Sequence, residues 1–419
     1  MKTKKLLLIV LIHVLFVFGI HSVQAQIMGA FKEIKGKIID ESSKEALVFT
    51  DILISGSNIS TITNSDGEFV LKVPDSLVTK SIIISNLGYQ KKEMKILDLD
   101  DYTKITLKPA ITELNVVEIK TFKDARALVH ETLSKKSSMY NPNTALMTAF
   151  YRETIKKRRK NASLSEAVVH IHKQPYNNLK DDAIALIKAR KSTNYTRLDT
   201  LALKLQGGPF GNLYTDIIKY PEYIFTDEDL PLYDFSFDAS TQINANKVYV
   251  INFKQKPTIK EPLYFGKLYI DAETLALTNA VYSLNVENRV LASQMYVRKK
   301  PKKAEVYPTQ ATYRVNYRTQ NGKWHFAYSN ILLTFKVNWE GKLFNSIYSL
   351  NSEMAITDWQ LMDPKLVQPK ENILKPTTIL ADEASGFSDP AFWGEYNIIE
   401  PEKSIESAID KIRKQLQRT

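Results

Sequence analysis

Two histidines have the spacing of metal ligands. His170 and His172 lie two residues apart in a segment with strand character, so both side chains project from one face of the strand and could share a metal ion. Glu166 is the nearest acid on that face of the strand. The sequence names no third ligand, so we predict no metal site and no cofactor, with His170 and His172 as the candidates to test.

The signatures of common hydrolases are missing from the sequence. A zincin places two histidines and a glutamate on one helix, and an α/β-hydrolase has a Gly-x-Ser-x-Gly elbow; the chain has neither pattern. Its acidic runs 98–101 and 227–229 fall in polar connections, where two neighbouring acids do not establish a glycosidase pair. We therefore predict that the protein is not an enzyme. The alternative is a hydrolase or metal-dependent envelope enzyme whose site is assembled from distant residues.

The size and composition of the chain predict a folded protein with more than one domain. It has 419 residues, of which 44% are hydrophobic, and this length exceeds the usual size of a single core. It has no cysteine, which excludes disulfides, thiolate metal sites and a cysteine nucleophile. Lipidation of an N-terminal cysteine is excluded too, so we predict that the protein is not a lipoprotein.

The first 25 residues have the pattern of an export signal. Three lysines precede an apolar run over residues 6–20, and Val23-Gln24-Ala25 matches a small-x-small cleavage site. We predict a signal peptide at 1–25 and a mature chain that begins at Gln26. The formal net charge is +11, and removal of three lysines and no acid leaves +8. This moderate charge favours anionic surfaces, but basic residues spread along an exported chain do not indicate a nucleic-acid partner.

The region that follows the signal predicts a small β-sandwich. Short strands alternate with turn residues over 35–107, and Asn64-Ser65-Asp66-Gly67 is a strong turn. The matching segments, in the expected order, are 36–40, 46–52, Asp66-Gly67-Glu68-Phe69 and Gly88-Tyr89. They resemble the carboxypeptidase-like regulatory domain, a prealbumin-like sandwich found in many exported proteins of Bacteroidetes. The resemblance implies a folding or docking module without zinc ligands or peptidase activity, which we place at 26–108.

A linker at 109–121 leads into a larger region at 122–360. Helical spacing over 122–139 predicts one helix, which must bury its apolar stripe against a sheet. Residues 262–285 predict a hairpin with its turn at Asp271-Ala272-Glu273-Thr274. Further strands are predicted at 148–154, 163–173, 246–253, 292–297, 308–318, 324–339 and 343–356.

The long antiparallel strands beside one helix resemble the half-open barrel of periplasmic lipoprotein carriers and outer-membrane lipoprotein-sorting proteins. Residues 268–275 are the closest local match. The resemblance implies a concave face lined with apolar side chains that can hold an acyl chain. The predicted fold class is therefore mainly β: a prealbumin-like sandwich, then a larger antiparallel sheet in the form of a half-barrel, one packing helix and a C-terminal helix.

The tail at 361–419 is predicted to be irregular and to end in a helix. Several prolines prevent regular pairing over 364–384, and residues 389–397 concentrate aromatic side chains. The ending 392–401 resembles the C-terminus of Bacteroidetes proteins that begin with the same sandwich. We predict that it returns to cover an apolar patch or edge of the sheet. The C-terminal helix is predicted from a stripe of apolar residues, Ile405, Ile409, Ile412 and Leu416.

Two basic groups fall in predicted connections of the large domain. The first comprises Lys156, Lys157, Arg158, Arg159 and Lys160, and the second comprises Lys299, Lys300, Lys302 and Lys303. Both fit contact with anionic lipid head groups or lipopolysaccharide. Charged hairpin tips also keep β-proteins soluble and their edges unpaired, so the two explanations stay open. We predict a non-catalytic periplasmic protein, associated with the outer membrane, that binds an envelope lipid, a lipoprotein or an outer-membrane protein, or has a structural role.

Overall fold

The computed structural model describes residues 31–109, 112–113, 122, 124–158, 160–193, 205–224, 226–238, 241–243, 246–363, 369, 371–386 and 392–402. The predicted signal peptide, most of the predicted linker and the predicted C-terminal helix lie outside these residues. As predicted, the described chain is mainly β, with two small sheets before one large antiparallel sheet and few short helices.

The described strands, in chain order, are β1 Phe31–Asp40, β2 Asp51–Ile54, β3 Ser60–Ile62, β4 Glu68–Pro74, β5 Ser81–Ser85, β6 Lys92–Lys95, β7 Tyr102–Leu107, β8 Thr112–Glu113, β9 Ala145–Lys157, β10 Lys160–Lys173, β11 Ala183–Thr193, β12 Tyr233–Phe237, β13 Thr241–Ile243, β14 Asn246–Gln255, β15 Tyr264–Asp271, β16 Leu277–Leu284, β17 Ala304–Gln320, β18 Lys323–Trp339, β19 Ser346–Leu361 and β20 Ser385–Gly386. The described α-helices are α1 Ala125–Ser134, α2 Lys136–Met139, α3 Pro209–Leu213, α4 Arg289–Tyr296 and α5 Leu380–Glu383. Short 3-10 helices occupy Asp75–Leu77, Ile96–Asp98, Pro221–Tyr223 and Leu230–Leu232.

Strands β1 to β7 form a sandwich of two sheets, in the orders β4-β1-β7 and β3-β2-β5-β6. Alternate residues of both sheets point inward and build a core of aliphatic side chains around Phe69. Gly36 is required in β1, because a Cβ atom there would lie 2.3 Å from the carbonyl oxygen of Thr103. The predicted turn at 64–67 is present, and Gly67 adopts a φ of +75° that favours glycine.

Strands β8 to β20 build the large sheet, in the order β20-β11-β10-β9-β19-β18-β17-β16-β15-β14-β13-β8, with β12 paired to β14. Neighbouring strands are antiparallel except β20, which pairs parallel with β11. The two ends of this order do not pair, so the described sheet is not closed. The hairpin predicted at 262–285 is formed by β15 and β16, and Asp271 Oδ1 stabilises its turn by accepting from the Thr274 amide at 2.8 Å.

One predicted strand is a helix. Residues 292–297 alternate in character and were expected to pair, but 292–296 belong to α4. The helix begins where Asn288 accepts a hydrogen bond from the Leu291 amide at 3.2 Å, which satisfies one of the unpaired donors of the first turn. Over so short a segment the periods of a helix and a strand cannot be distinguished from the sequence.

One predicted strand begins later than its pattern suggested. The strand expected at 343–356 starts at Ser346 and continues to Leu361. Leu343 and Phe344 therefore lie in the connection between β18 and β19, where they are exposed instead of alternating across the sheet. The predicted turn at Glu340-Gly341 is present, and Gly341 has a φ of +79°.

The large sheet buries one face under segments of its own chain. This covered face carries Met147 and Tyr151 of β9, and packs against Leu128 of α1 in a single apolar cluster. Helix α1 thus packs on the sheet, as predicted. The same cluster includes apolar residues of segment 209–224, which we call the cover, and residues of segment 374–384. The apolar face is closed by helices and turns and not by a second sheet.

The opposite face of the large sheet, which we call the sandwich face, packs against the N-terminal sandwich. Phe150 of β9 lies in one cluster with Ile62 of β3, and Trp393 and Ile399 of the tail complete that cluster. The Phe150 and Trp393 rings pack edge to face, with their centroids 5.3 Å apart. The tail segment 392–402 therefore lies between the sandwich and the large sheet.

Polar contacts also join these three parts of the chain. The tail residue Asn397 accepts from the Lys72 amide of β4 at 2.7 Å and donates to the Lys72 carbonyl at 3.3 Å. Arg318 of β17 donates to the Ser60 hydroxyl at 2.8 Å and forms an ion pair with Asp51 of β2. The two bonds between the Asn397 side chain and the Lys72 backbone fix the tail against β4 of the sandwich.

Candidate functional site

A buried network of charges and tyrosines fastens the cover to the sheet. Lys173 Nζ, at the end of β10, lies 2.8 Å from Asp182 and 2.9 Å from Asp216 of the cover. Asp216 also accepts from the hydroxyls of Tyr176 at 2.8 Å and Tyr317 at 2.9 Å. Burial acts to lower the pKa of Lys173, but the two carboxylates outweigh it and raise that pKa. The lysine therefore stays charged and paired, which suits a structural role.

Polar side chains interrupt the covered face beside α3. Asn212 is fully buried; its Nδ2 donates to Ser329 Oγ at 3.0 Å and its Oδ1 accepts from Ser352 Oγ at 2.8 Å. Glu153 lies opposite Ser352 in the pairing of β9 with β19, and accepts from the Tyr151 hydroxyl at 3.0 Å. Burial raises the pKa of Glu153 to about 7. Glu153 is not among the candidate residues named from the sequence.

The apolar hollow expected on the large sheet is filled by the chain itself, since α1 and the cover pack directly on the covered face. A surface depression of about 620 Å³ lies over β12, β14 and β15. The side chains of Lys254 and Phe265 line it, and they alternate along their strands with those of Phe253 and Leu268, which belong to the apolar cluster of the covered face. The depression therefore opens on the other face of the sheet and gives no entry to the covered face.

The two candidate histidines both lie on β10, where His170 is half-buried and His172 is buried. Burial, and to a smaller extent His172, lower the pKa of His170. Among the residues that the structure describes, no group of three or more His, Cys, Asp and Glu side chains is arranged to hold a metal ion. Glu166, the acid expected near the pair, binds Arg152 and Arg190 instead.

Four buried charged residues form a row across the sandwich face. Arg190, Glu166, Arg152 and Glu353 are direct cross-strand partners on β11, β10, β9 and β19. Glu166 lies 2.7 Å from each arginine, and Arg152 lies 3.3 Å from Glu353. Burial opposes the ionisation of Glu166, but both guanidinium groups outweigh it and lower the pKa of that carboxyl. Arg152 also donates to the carbonyl of tail residue Ile399 at 2.7 Å.

Three connections meet at one end of the large sheet. The β9–β10 tip touches the β18–β19 hairpin where the Arg158 amide donates to the Ile347 carbonyl at 2.9 Å. The connection from α4 to β17 reaches the same hairpin where the Glu340 amide donates to the Lys303 carbonyl at 3.0 Å. We call residues 156–158, 160, 298–303 and 340–345 the basic end. Its described basic residues are Lys156, Lys157, Arg158, Lys160, Arg298, Lys299, Lys300, Lys302, Lys303 and Lys342.

The fold thus joins the two basic groups that the sequence presents separately. Lys156 is engaged by Glu402 of the tail at 3.3 Å, whereas Arg158, Lys160, Lys302 and Lys303 are exposed. Arg159 lies outside the described residues. None of the described helices is both long and apolar enough to span a bilayer. The described part of the chain is thus a mainly β protein with a group of basic residues at one end of its large sheet.

The N-terminal sandwich matches a known family. Residues 34–119 match the family model of the CarboxypepD_reg-like domain. This match confirms the resemblance to the carboxypeptidase-like regulatory domain that the sequence suggested. It covers the sandwich and most of the predicted linker at 109–121. No curated protein matches the chain.

Solved structures with similarity to the chain include a LolA superfamily protein from Nitrosomonas europaea, with 9% identity, a TM-score of 0.24, and coverage of 59% of this chain and 99% of that chain. An outer membrane lipoprotein-sorting protein domain from Vibrio parahaemolyticus gives 9% identity and a TM-score of 0.25, over 58% of this chain and 96% of that chain. A DUF1329 family protein from Desulfovibrio piger gives 10% identity and a TM-score of 0.23, over 58% of this chain and 95% of that chain. TM-scores this low do not establish a shared function.

Proposed function

We propose that the protein is a non-catalytic binding protein of the cell envelope that associates with anionic lipid through its basic end. The observation that carries the proposal is the meeting of two cationic connections, from distant parts of the sequence, against the β18–β19 hairpin at one end of the sheet. Each lysine or arginine near an anionic membrane contributes about 1 kcal/mol, so their concentration on one surface makes the attraction additive. A chain with the same charges spread evenly would gain less.

The state of the buried charges supports a role without catalysis. Lys173 is paired with Asp182 and Asp216, and Glu166 is paired with two arginines. A catalytic acid or base needs access to substrate and a proton to exchange, whereas these groups are sealed in ion pairs that join parts of the fold. The competing class is a hydrolase or metal-dependent enzyme built around His170 and His172. Bound metal in the purified protein, lost together with activity on replacing both histidines, would support that class.

We expect the protein to act in the periplasm, because residues 1–25 have the pattern of a signal peptide. The outer membrane is the anionic surface that we expect it to meet there. A lipid or lipoprotein held inside the large sheet is the sharper hypothesis. It requires the cover to leave, since the covered face is filled by the cover and α1. Solvent extraction of the purified mature protein tests it: a stoichiometric lipid would place an acyl chain beneath the cover, and a lipid-free extract would restrict binding to the surface.

Vesicle co-sedimentation tests surface association. The mature protein is mixed with vesicles of phosphatidylethanolamine and phosphatidylglycerol, and in parallel with vesicles of phosphatidylcholine. We expect binding to the anionic vesicles only, with an affinity that falls as salt is added, because added ions screen the exposed cations. Equal and negligible sedimentation with both kinds of vesicle at low salt would contradict the proposal.

A further inference from the structure

The tip of the β18–β19 hairpin exposes two large apolar side chains. Leu343 is 97% exposed and Phe344 is 80% exposed, and Ile347 beside them is 42% exposed. Single exposed apolar residues are common on protein surfaces and need no special explanation. Here two adjacent side chains project from a hairpin tip with a third behind them. We call Leu343, Phe344 and Ile347 the apolar projection.

Cations from neighbouring connections surround this projection. Lys342 precedes it directly, with Nζ placed 5.2 Å from the centre of the Trp339 ring. On one side of the β18–β19 hairpin, the Arg158 amide donates to the Ile347 carbonyl. On the other side, the Glu340 amide of the hairpin donates to the Lys303 carbonyl. The apolar projection and the exposed cations therefore belong to one surface. That surface has the chemistry of a bilayer interface, in which anionic head groups overlie hydrocarbon.

We propose that Leu343 and Phe344 insert into the acyl region of an anionic phospholipid bilayer while the surrounding cations contact its head groups. The inference rests on the proposed function and adds to it the inserting element and the orientation. Two other occupants fit less well. A second copy would bring its own cations against these and be repelled, and a nucleic acid would leave the apolar pair without a partner.

Insertion at this tip also fixes how the molecule stands on the membrane. Strands β9, β17, β18 and β19 all reach the basic end, so their other ends point away from the bilayer. Leu179 lies in the connection that follows β10, at the end opposite Lys160, and is 94% exposed. It is a matched control: an exposed leucine in a connection that is expected to stay in water.

Single labelled positions test the insertion directly. The chain has no cysteine, so Phe344→Cys and Leu179→Cys each give one site for an environment-sensitive fluorophore. Each labelled protein is mixed with phosphatidylethanolamine–phosphatidylglycerol vesicles, with and without a lipid-borne quencher. We expect a blue shift and quenching at position 344 and neither change at position 179.

Loss of the apolar pair tests its contribution to affinity. The double variant Leu343→Ser with Phe344→Ser should bind the anionic vesicles about tenfold more weakly, because partial burial of the two side chains is lost. Leu179→Ser should bind like the wild type. Both positions are exposed, so an unchanged melting temperature verifies that each variant is folded.

The possible outcomes separate the two proposals. Vesicle binding with no fluorescence change at position 344 would overturn the insertion and leave electrostatic association in place. Failure of the unmodified protein to bind anionic vesicles at low salt would overturn both. Vesicle-independent dimerisation that is abolished by the serine pair would assign the tip to a second copy and also overturn the insertion.

Discussion

The backbone amide of Arg158 donates to the carbonyl oxygen of Ile347 at 2.9 Å, so the tip of the β9–β10 hairpin is fixed against the β18–β19 hairpin. The two residues are far apart in sequence and are brought together because β9 pairs with β19. This pairing places the cations of one tip beside the apolar side chains of the other. The lipid-facing surface that we propose is therefore a product of sheet order.

The ion network under the cover should be a large contributor to stability. Asp216→Asn leaves Lys173 with one carboxylate and weakens the acceptor of two tyrosine hydroxyls. Breaking a buried ion pair costs about 3–5 kcal/mol, so we expect a loss near the lower value because Asp182 remains. Urea unfolding measures the change.

The matched control for that variant is Asp227→Asn. Asp227 is an exposed acid whose carboxylate lies 3.9 Å from exposed His130. Its replacement should change the free energy of unfolding by less than about 0.5 kcal/mol. Equal effects of the two substitutions would contradict a structural role for the network.

Glu153 should make stability fall as pH rises. Burial raises the pKa of this carboxyl from its ordinary value of 4.5 to about 7 in the folded protein. A carboxyl whose pKa is raised by folding is favourable only while protonated, so its contribution declines between about pH 4.5 and 7 and is constant above. Glu153→Gln keeps the neutral form, and at about pH 8 the variant should be more stable than the wild type by on the order of 3 kcal/mol.

The measurement is the difference in unfolding free energy between Glu153→Gln and the wild type across that pH range. The difference should be small near pH 4.5 and should grow to its full size near pH 7. A difference that is the same at every pH would mean that burial does not hold this carboxyl protonated. The comparison isolates Glu153, because every other titrating group is shared by both proteins.

Local signals predicted the parts of the fold that depend on a few neighbouring residues. The turns at 64–67 and 271–274 follow from Asp and Gly side chains that satisfy tight backbone conformations. Helix α4 was missed because its cap, Asn288, is a weak signal in a short segment. The start of β19 was misplaced because Leu343 and Phe344 carry the apolar pattern of a strand, although they project from its hairpin.

The two basic groups of the candidate site were predicted from the sequence, but their meeting could not be predicted because it depends on strand order. Nothing in the sequence says that residues 156–160 lie beside 340–345, since β9 and β19 are separated by most of the large sheet in chain order. Glu153 carried a usable signal: it occupies a position between Tyr151 and Ile155 in an apolar alternation. An acid at such a position predicts a buried carboxyl with a raised pKa.

The tail should couple the sandwich to the large sheet. Trp393 is buried among residues of both, and the Arg190 guanidinium lies 4.7 Å from its ring centre. Trp393→Ala should cost about 3–5 kcal/mol and loosen the contact between the two domains. Calorimetry should then resolve two transitions, or a broadened one, whereas we expect a single transition for the wild type.

The control for that substitution is Tyr102→Ala, which removes an exposed aromatic side chain of the sandwich. It should leave the calorimetric profile close to that of the wild type. If Trp393→Ala lowers the melting temperature but keeps one sharp transition, the tail stabilises the fold without coupling the domains. An unchanged melting temperature would contradict the packing role of Trp393.

Association with anionic lipid is tested most directly by neutralising the basic end in the intact mature protein. Arg158, Lys160, Lys302 and Lys303 are exposed and can be replaced together by glutamine; the matched control replaces four exposed lysines of the sandwich, namely Lys80, Lys95, Lys104 and Lys108. Each charge contributes about 1 kcal/mol at the membrane, so loss of four charges should make the first variant bind phosphatidylglycerol-containing vesicles on the order of a thousandfold more weakly, and the control should bind like the wild type. Equal losses in both variants would show that net charge alone is responsible, and would contradict a binding surface at the basic end.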